Sequence, residues 1–460
     1  MIKSVTELRA VVGFAGRWAV LLVVACAQSN LLGADLGDSR HTPRNPPDDL
    51  STMRPFRVPH RMTLTVGQDE GDLQGKDDKI IQAAVDYVFR LGGGAVRVLP
   101  GTYTMRNAVF LRPGVTLRGA GLDTVLKKTP CVSSRGIRDA DWYEYGIQVA
   151  DPKGFVPGCG IAVSNDKPDW PPVRLFTVTA VRENVLYVDR LIEKNFWIPD
   201  NAKVQTLFSL ICGNDVDDVR IEDIVLDGNR AENENLDGNH GGAAFLQYGN
   251  RWTFRNVVAQ NFNGDGFSFQ VCDDVHFENC RSINNASRGF HPGSGSQRPV
   301  FKKCVAKGNS QGLFWCWGVC DGLAEDCTFS ENTLYGTSFG HRDTDNVLRR
   351  CTIERNGKAG VLFRKEDREC LSGDRNRIEE CLIRDNGCAD GCGVDIRGET
   401  RDIAIVRCRF ENSPKGKQKI AVRIGPEAER IALEGNAFTG CPVEVSDLRE
   451  KQAAAKDVHP

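Results

Sequence analysis

Histidine is scarce in this chain, seven in 460 residues, and three of the seven fall in two polar clusters. The first gathers His240, Asp265, Arg288 and His291, with Gln247 and Gln270 close by. The second is Gly340-His-Arg-Asp-Thr-Asp-Asn346, with Trp317 upstream and Arg364, Lys365, Glu366 and Asp367 downstream. Imidazoles at these positions can give or take a proton near neutrality. Arginine pairs with carboxylate or sulfate through two parallel bonds, and an exposed Trp offers a flat apolar face to a sugar ring. Such a set suits β-elimination of a uronic-acid polysaccharide. A cation, either Arg or bound Ca²⁺, neutralises the uronate carboxylate, a base takes the neighbouring C–H proton, and an acid assists the leaving oxygen. His341 or His291 serves as base or acid, while Arg342, Arg364 or Arg288 holds the carboxylate.

Hydrolysis needs a pair of carboxylates about 5–9.5 Å apart, and Asp343 with Glu366 offers one. Cations and histidines dominate the set, so a polysaccharide lyase is the preferred reading. A glycoside hydrolase or epimerase on the same scaffold is the alternative, and a noncatalytic glycan-binding or cell-surface protein is a second. The catalytic candidates are His341, Arg342, Asp343, Glu366, His291 and Asp265. The substrate-binding candidates are Arg288, Arg364, Lys365, Trp317, Gln270 and His240. No metal ligands are assigned, and Ca²⁺ is the one cofactor considered. Charged residues on neighbouring turns of a repeat also pair simply as solvated ladders, so each cluster has a purely structural reading as well.

What positions these residues is a repeat. Cys280, Cys304, Cys327 and Cys351 are 24, 23 and 24 residues apart, and Cys381 and Cys408 continue at 30 and 27. Five residues after the first five of these cysteines comes Asn285, Asn309, Asn332, Asn356 or Asn386. A Gly then opens a short apolar run at Gly266, Gly289, Gly312, Gly336, Gly360 and Gly393. Short strands on this period, without a leucine-rich pattern and too short for propeller blades, fit a parallel β-solenoid. Its turns stack about 4.8 Å apart. The Asn is expected at a sharp left-handed turn, bonding its counterpart in the next turn. The Cys column is expected to be buried and free, because that spacing exceeds the Cβ separation of a disulfide. Cys316 with Cys320, or Cys388 with Cys392, could pair or bind metal in loops.

Aligned on the Gly, one outward column reads Ser268, His291, Phe314, Ser338, Leu362, Asp395. The next reads Gln270, Gly293, Cys316, Gly340, Arg364, Arg397. Both candidate clusters therefore share one face.

Asp77 or Asp78 caps a helix whose apolar face is Ile80, Ile81, Ala84, Val85, Val88 and Phe89, ended by Gly92-Gly93-Gly94. The segments Gly75–Ala84, Gly92–Tyr103 and Gly114–Gly121 resemble the opening of the pectate-lyase-like right-handed parallel β-helix superfamily, in its rhamnogalacturonase and epimerase-like branch. The resemblance implies an all-β right-handed solenoid capped by this helix, and secreted proteins that cleave or modify polysaccharides. It carries no catalytic residue over.

The organisation expected is a signal peptide over 1–27, an extended leader over 28–60, a cap with first rungs over 61–130, a small β insert over 131–212, the main β-helix over 213–446 and a tail over 447–460. Lys3, Arg9 and Arg17 before the apolar run Ala19–Ala25 carry the signal reading, which places the protein outside the cell or in the periplasm. Val23-Val24-Ala25-Cys26 also fits a lipoprotein signal with Cys26 acylated. The mature chain is expected to have no integral membrane span and to be a monomer. With 59 basic against 61 acidic residues, it lacks the basic surface of a nucleic-acid binder. A polysaccharide is the partner expected.

Overall fold

Three parallel sheets of 13, 11 and 11 strands wind through the computed structural model, which describes residues 61–449 except 168, 367, 369–370 and 388–390. The expected signal, leader and Cys26, the end of the tail, Asp367 and Cys388 lie outside the described residues. Each turn gives one short strand to each sheet, as Thr253–Arg255, Val258–Gln260 and Asp265–Gln270 do in one rung. In-register pairing puts like residues above one another, and aromatic rings stack up the interior. Phe254, Phe277 and Phe301 follow at centroid spacings of 4.7 and 5.1 Å, and Trp315, Phe339 and Phe363 at 5.4 and 5.1 Å.

The Asn and Gly repeats prove to be one steric device. The ladder asparagines are buried, and each backbone N–H donates to the side-chain oxygen one rung on: Asn285 to Asn309 at 3.0 Å, and Asn309 to Asn332, Asn332 to Asn356 and Asn356 to Asn386 each at 3.1 Å. Gln418 accepts from Asn386 and extends the series. A Cβ on Gly336 would lie 2.7 Å from the Gly360 carbonyl oxygen and 2.8 Å from Asn356 Nδ2. One on Gly312 would lie 2.4 Å from the Gly336 oxygen and 3.0 Å from Asn332 Nδ2. Only glycine lets the rung pass this close to the ladder. The left-handed residue is not the ladder Asn, as expected, but the one before it: Asn284, Gly308, Glu331, Arg355 and Asp385 all have positive φ. The bend comes first, and the Asn side chain then points inward along the axis.

Cys280, Cys304, Cys327, Cys351, Cys381 and Cys408 form a buried column of free thiols. Cys316 and Cys320 are free as well, so the loop pairing considered for them is not made. At the start of the solenoid, helix α1 (Asp78–Arg90) is capped by Asp77, whose carboxylate accepts the Lys79 N–H at 3.2 Å. The helix buries Ile81, Ala84, Val85 and Val88. Phe89, expected on that face, is exposed.

The insert leaves the solenoid after the strand Thr124–Lys128 and forms a six-stranded antiparallel sheet around its own core of Ile147, Ile161, Val163, Val178, Leu186 and Phe196. The solenoid resumes at Ile211–Asn214. No helix of the described residues is long and apolar enough to cross a membrane.

Candidate functional site

The third sheet presents the face that carries the polar clusters. Seven of its eleven strands form this part: β1 (Ile211–Asn214), β2 (Gly242–Gln247), β3 (Asp265–Gln270), β4 (Arg288–Gly293), β5 (Gln311–Phe314), β6 (Tyr335–Phe339) and β7 (Ala359–Phe363). Register sets Phe245, Ser268 and His291 in one outward column and Phe314, Ser338 and Leu362 in its continuation. Inward neighbours such as Phe267, Phe290 and Leu313 hold the rungs rigid from below.

On β3 and β4 the structure builds a buried dyad. His291 Nδ1 lies 2.7 Å from Asp265 Oδ2, with the two side chains 1% and 0% exposed. Asp265 Oδ1 accepts the Arg288 backbone N–H at 2.9 Å and faces the Arg288 guanidinium at 3.8 Å. Burial alone would raise the Asp265 pKa, but His291 and Arg288 outweigh it and hold the carboxyl below its usual range. An ionised carboxylate can only accept, so the bond assigns a proton to Nδ1, and in the neutral ring the lone pair is then on Nε2. His291 Nε2, Arg288 Nε and Gln270 Oε1 are all buried without a hydrogen-bond partner. Gln270 leans into space left by Gly293, where a Cβ would come within 2.3 Å of its oxygen. A native fold seldom leaves three such atoms unsatisfied on adjacent rungs, so this spot calls for ordered water, an ion or a bound ligand to complete it.

Phe314 joins this cluster to the second. The Arg288 and Arg364 guanidinium carbons each lie 4.6 Å from its ring centroid, and the His291 ring meets it edge-on at 5.2 Å. Beyond it, Trp317 stacks on His341 at 4.2 Å and 15°, and His341 Nδ1 is 3.6 Å from Glu366 Oε2. Arg364 is fully engaged, donating to Ser338 Oγ at 3.1 Å, the Trp315 carbonyl at 3.0 Å and Asp343 Oδ2 at 3.2 Å.

Four candidates do not take the expected place. Asp343 is fully buried, accepting the backbone N–H groups of Gly318, Val319 and Gly340. With those three N–H groups and Arg364 on its two oxygens, it has no lone pair left for a substrate beside Glu366. Two consecutive left-handed residues, His341 and Arg342, break the strand alternation and turn Asp343 inward. Lys365 pairs with Glu427 at 2.9 Å, and Arg342 is exposed with no side-chain partner among the described residues. His240 also stands apart from the Asp265 and His291 pair, in a cleft against Trp170 at 4.9 Å. Among the described residues no group of three or more His, Cys, Asp or Glu is placed to hold a metal ion. The cation this face itself supplies beside the dyad is Arg288.

Burial lifts Asp343 to a pKa of about 7, overcoming Arg364 and the three N–H groups. Its folded pKa lies above the ordinary value of 3.8. The native state thus holds the proton more tightly, and stability falls as pH rises from about 4 to about 7. Asp343→Asn cannot titrate. The Tm of the native chain minus that of the variant should decline across this window, and a flat difference would refute the assignment.

Residues 201–334 and 314–423 match the family model of the right-handed β-helix region. The chain is a right-handed parallel β-helix. No characterised protein sequence matches it significantly. Among solved structures, this β-helix is similar to the A-module of the Azotobacter vinelandii mannuronan C-5 epimerase AlgE6, at 16% identity and a TM-score of 0.51 over 81% of this chain and 92% of that one. The AlgE4 A-module gives the same identity and score, covering 83% and 97%. PfbA, a surface protein and adhesin of Streptococcus pneumoniae, matches at 14% identity and a TM-score of 0.53 over 84% of this chain and all of that one. At such identities the likeness is one of fold. It agrees with the resemblance carried by Gly75–Gly121 and leaves the chemistry to the side chains.

Proposed function

We propose that this β-helix is an exported enzyme acting on a uronic-acid polysaccharide, with His291 as the base that removes the proton from the carbon bearing the uronate carboxylate. The observation that carries this reading is the buried Asp265 and His291 dyad, its free Nε2 beside Arg288 and Phe314. Asp265 orients the imidazole and stabilises the imidazolium that forms. Arg288 neutralises the carboxylate, so that negative charge developing on the adjacent carbon spreads into it. Excluded water strengthens both effects.

Proton removal is common to two outcomes. Expulsion of the leaving oxygen completes a lyase reaction, and reprotonation from the opposite side completes an epimerase reaction. That the two similar A-modules belong to mannuronan C-5 epimerases supports the shared first step. Hydrolysis by Asp343 and Glu366 loses ground because Asp343 has no open lone pair toward the groove. His341 lies two rungs from His291, about 9–10 Å by strand spacing, too far to serve the same bond. With Trp317 it forms a neighbouring sugar platform.

The test is a panel of uronic-acid polysaccharides in deuterated water, followed by ultraviolet absorbance and NMR. Absorbance from an unsaturated sugar is the expected result. Deuterium at the carboxylate-bearing carbon without absorbance assigns epimerisation. New reducing ends without either signal would overturn His291 as the carbon base, and binding without any turnover would favour a surface adhesin role like that of PfbA.

A further inference from the structure

Beside the dyad, at the junction of insert and solenoid, lies a cleft of about 350 Å³. We infer that it is a second subsite, binding an anionic sugar unit of the chain that His291 attacks, through Trp170, Arg174, Arg190, Asn214, His240 and Gln247. The inference rests on the proposed polysaccharide function and adds a specificity element that the solenoid alone lacks.

Position is the first argument. Asn214 pairs in register with Gln247, and Gln247 with Gln270, so the cleft floor continues the column that lies beside His291. From β2 to β4 is two rungs, about 9–10 Å, a reach that suits a neighbouring unit of a bound chain. The wall comes from the insert. Arg174 and Arg190 flank the groove, held from behind by Glu193 at 2.6 Å and Asp189 at 2.8 Å. Among the described residues no Asp or Glu lines the cleft itself, so the two carboxylates that pair with the guanidiniums do so from outside it.

Unsatisfied groups are the second argument. His240 Nε2 and Arg174 Nε are buried with no partner. Burial, with Lys194 and Arg174 near, holds the His240 pKa below its usual value, so at neutral pH its ring offers one N–H and one lone pair, as a sugar hydroxyl requires. Trp170 is 72% exposed with His240 behind it, which gives a sugar face a rigid ring to rest on. Cation, neutral imidazole, amides and an indole in one cleft match a sugar carrying carboxylate or sulfate. A phosphate-only or purely apolar ligand would leave half of them idle.

The experiment uses the full chain carrying His291→Gln, titrated with uronate, sulfated and neutral oligosaccharides of increasing length. Calorimetry reads the affinity in every variant, since Trp170→Ala removes a fluorophore, and loss of the ligand-induced fluorescence change in Trp170→Phe places the sugar at that ring. Longer anionic oligosaccharides should bind, and Arg174→Gln, His240→Gln and Trp170→Ala should each weaken them about tenfold or more, leaving the shortest that bind unaffected. In the active background the same changes should raise KM with little change in kcat. Preference for uronate or for sulfate identifies which anion the subsite takes. Trp170→Ala keeps both Arg pairs with the insert intact, so its loss of affinity cannot be laid to misfolding. Binding and KM unchanged in all three variants overturn the subsite while leaving the His291 reading in place. Absence of both turnover and binding in the parent overturns both.

Discussion

His291→Gln lowers kcat on a uronic-acid polysaccharide by about 10²–10⁴, the range that a positioned general base contributes. Gln is the informative replacement because its amide can still donate to Asp265 where His291 Nδ1 does at 2.7 Å. His291→Ala would strand Asp265, which is 0% exposed, as a buried carboxylate without its imidazole and confuse catalysis with stability. Asp265→Asn should fall in the same range, since an amide can no longer select the tautomer with Nε2 free. Arg288→Lys keeps the charge but loses the planar fork, and should raise KM and lower kcat together. Solvent deuterium exchange at the carboxylate-bearing carbon must vanish in step with turnover. If His291→Gln keeps more than about a tenth of the parent rate, the base is elsewhere and His341 becomes the group to test.

Much of this face was legible in the sequence because a solenoid converts spacing into position. Once the Gly positions are aligned, Ser268, His291, Phe314 and Ser338 fall into the column that the strands form. Legibility stops where the period does. The insert has no repeat, so nothing in the sequence could align Trp170, Arg174 and Arg190 with His240, and His240 was grouped with the dyad instead of with them. Asp343 was misplaced for a related reason. The corner after β6 spends two left-handed residues, His341 and Arg342, and side-chain alternation cannot be counted through such a bend. The role of Phe314 as a ring shared by Arg288 and Arg364 was hidden because a lone Phe in a polar column reads as an ordinary outward apolar residue.

The same repeat sets the second large effect, on stability. Asn332→Ala should cost about 1–3 kcal/mol, because one buried donor is left unmatched. The Asn309 N–H loses Asn332 Oδ1 at 3.1 Å, while the Ala306 carbonyl gives up Asn332 Nδ2 at 3.3 Å but keeps its place in the sheet ladder opposite Phe329. The Asn332 backbone N–H keeps Asn356 Oδ1, so the lesion is confined to one side of one rung. In a quasi-one-dimensional fold, neighbouring rungs then feel it mainly through their shared interface. Hydrogen exchange should therefore quicken by about 5- to 150-fold at Asn309 and its neighbours, the conversion of that cost at 1.4 kcal/mol per tenfold, while β1 and β2 stay protected. Asn332→Asp retains the acceptor and the shape, leaving Asn309 satisfied, but gives up the donor to Ala306. It should recover protection at Asn309 and remain less stable than the parent. A denaturation midpoint for Asn332→Ala equal to the parent's would show that the ladder records the packing of the rungs and does not hold them.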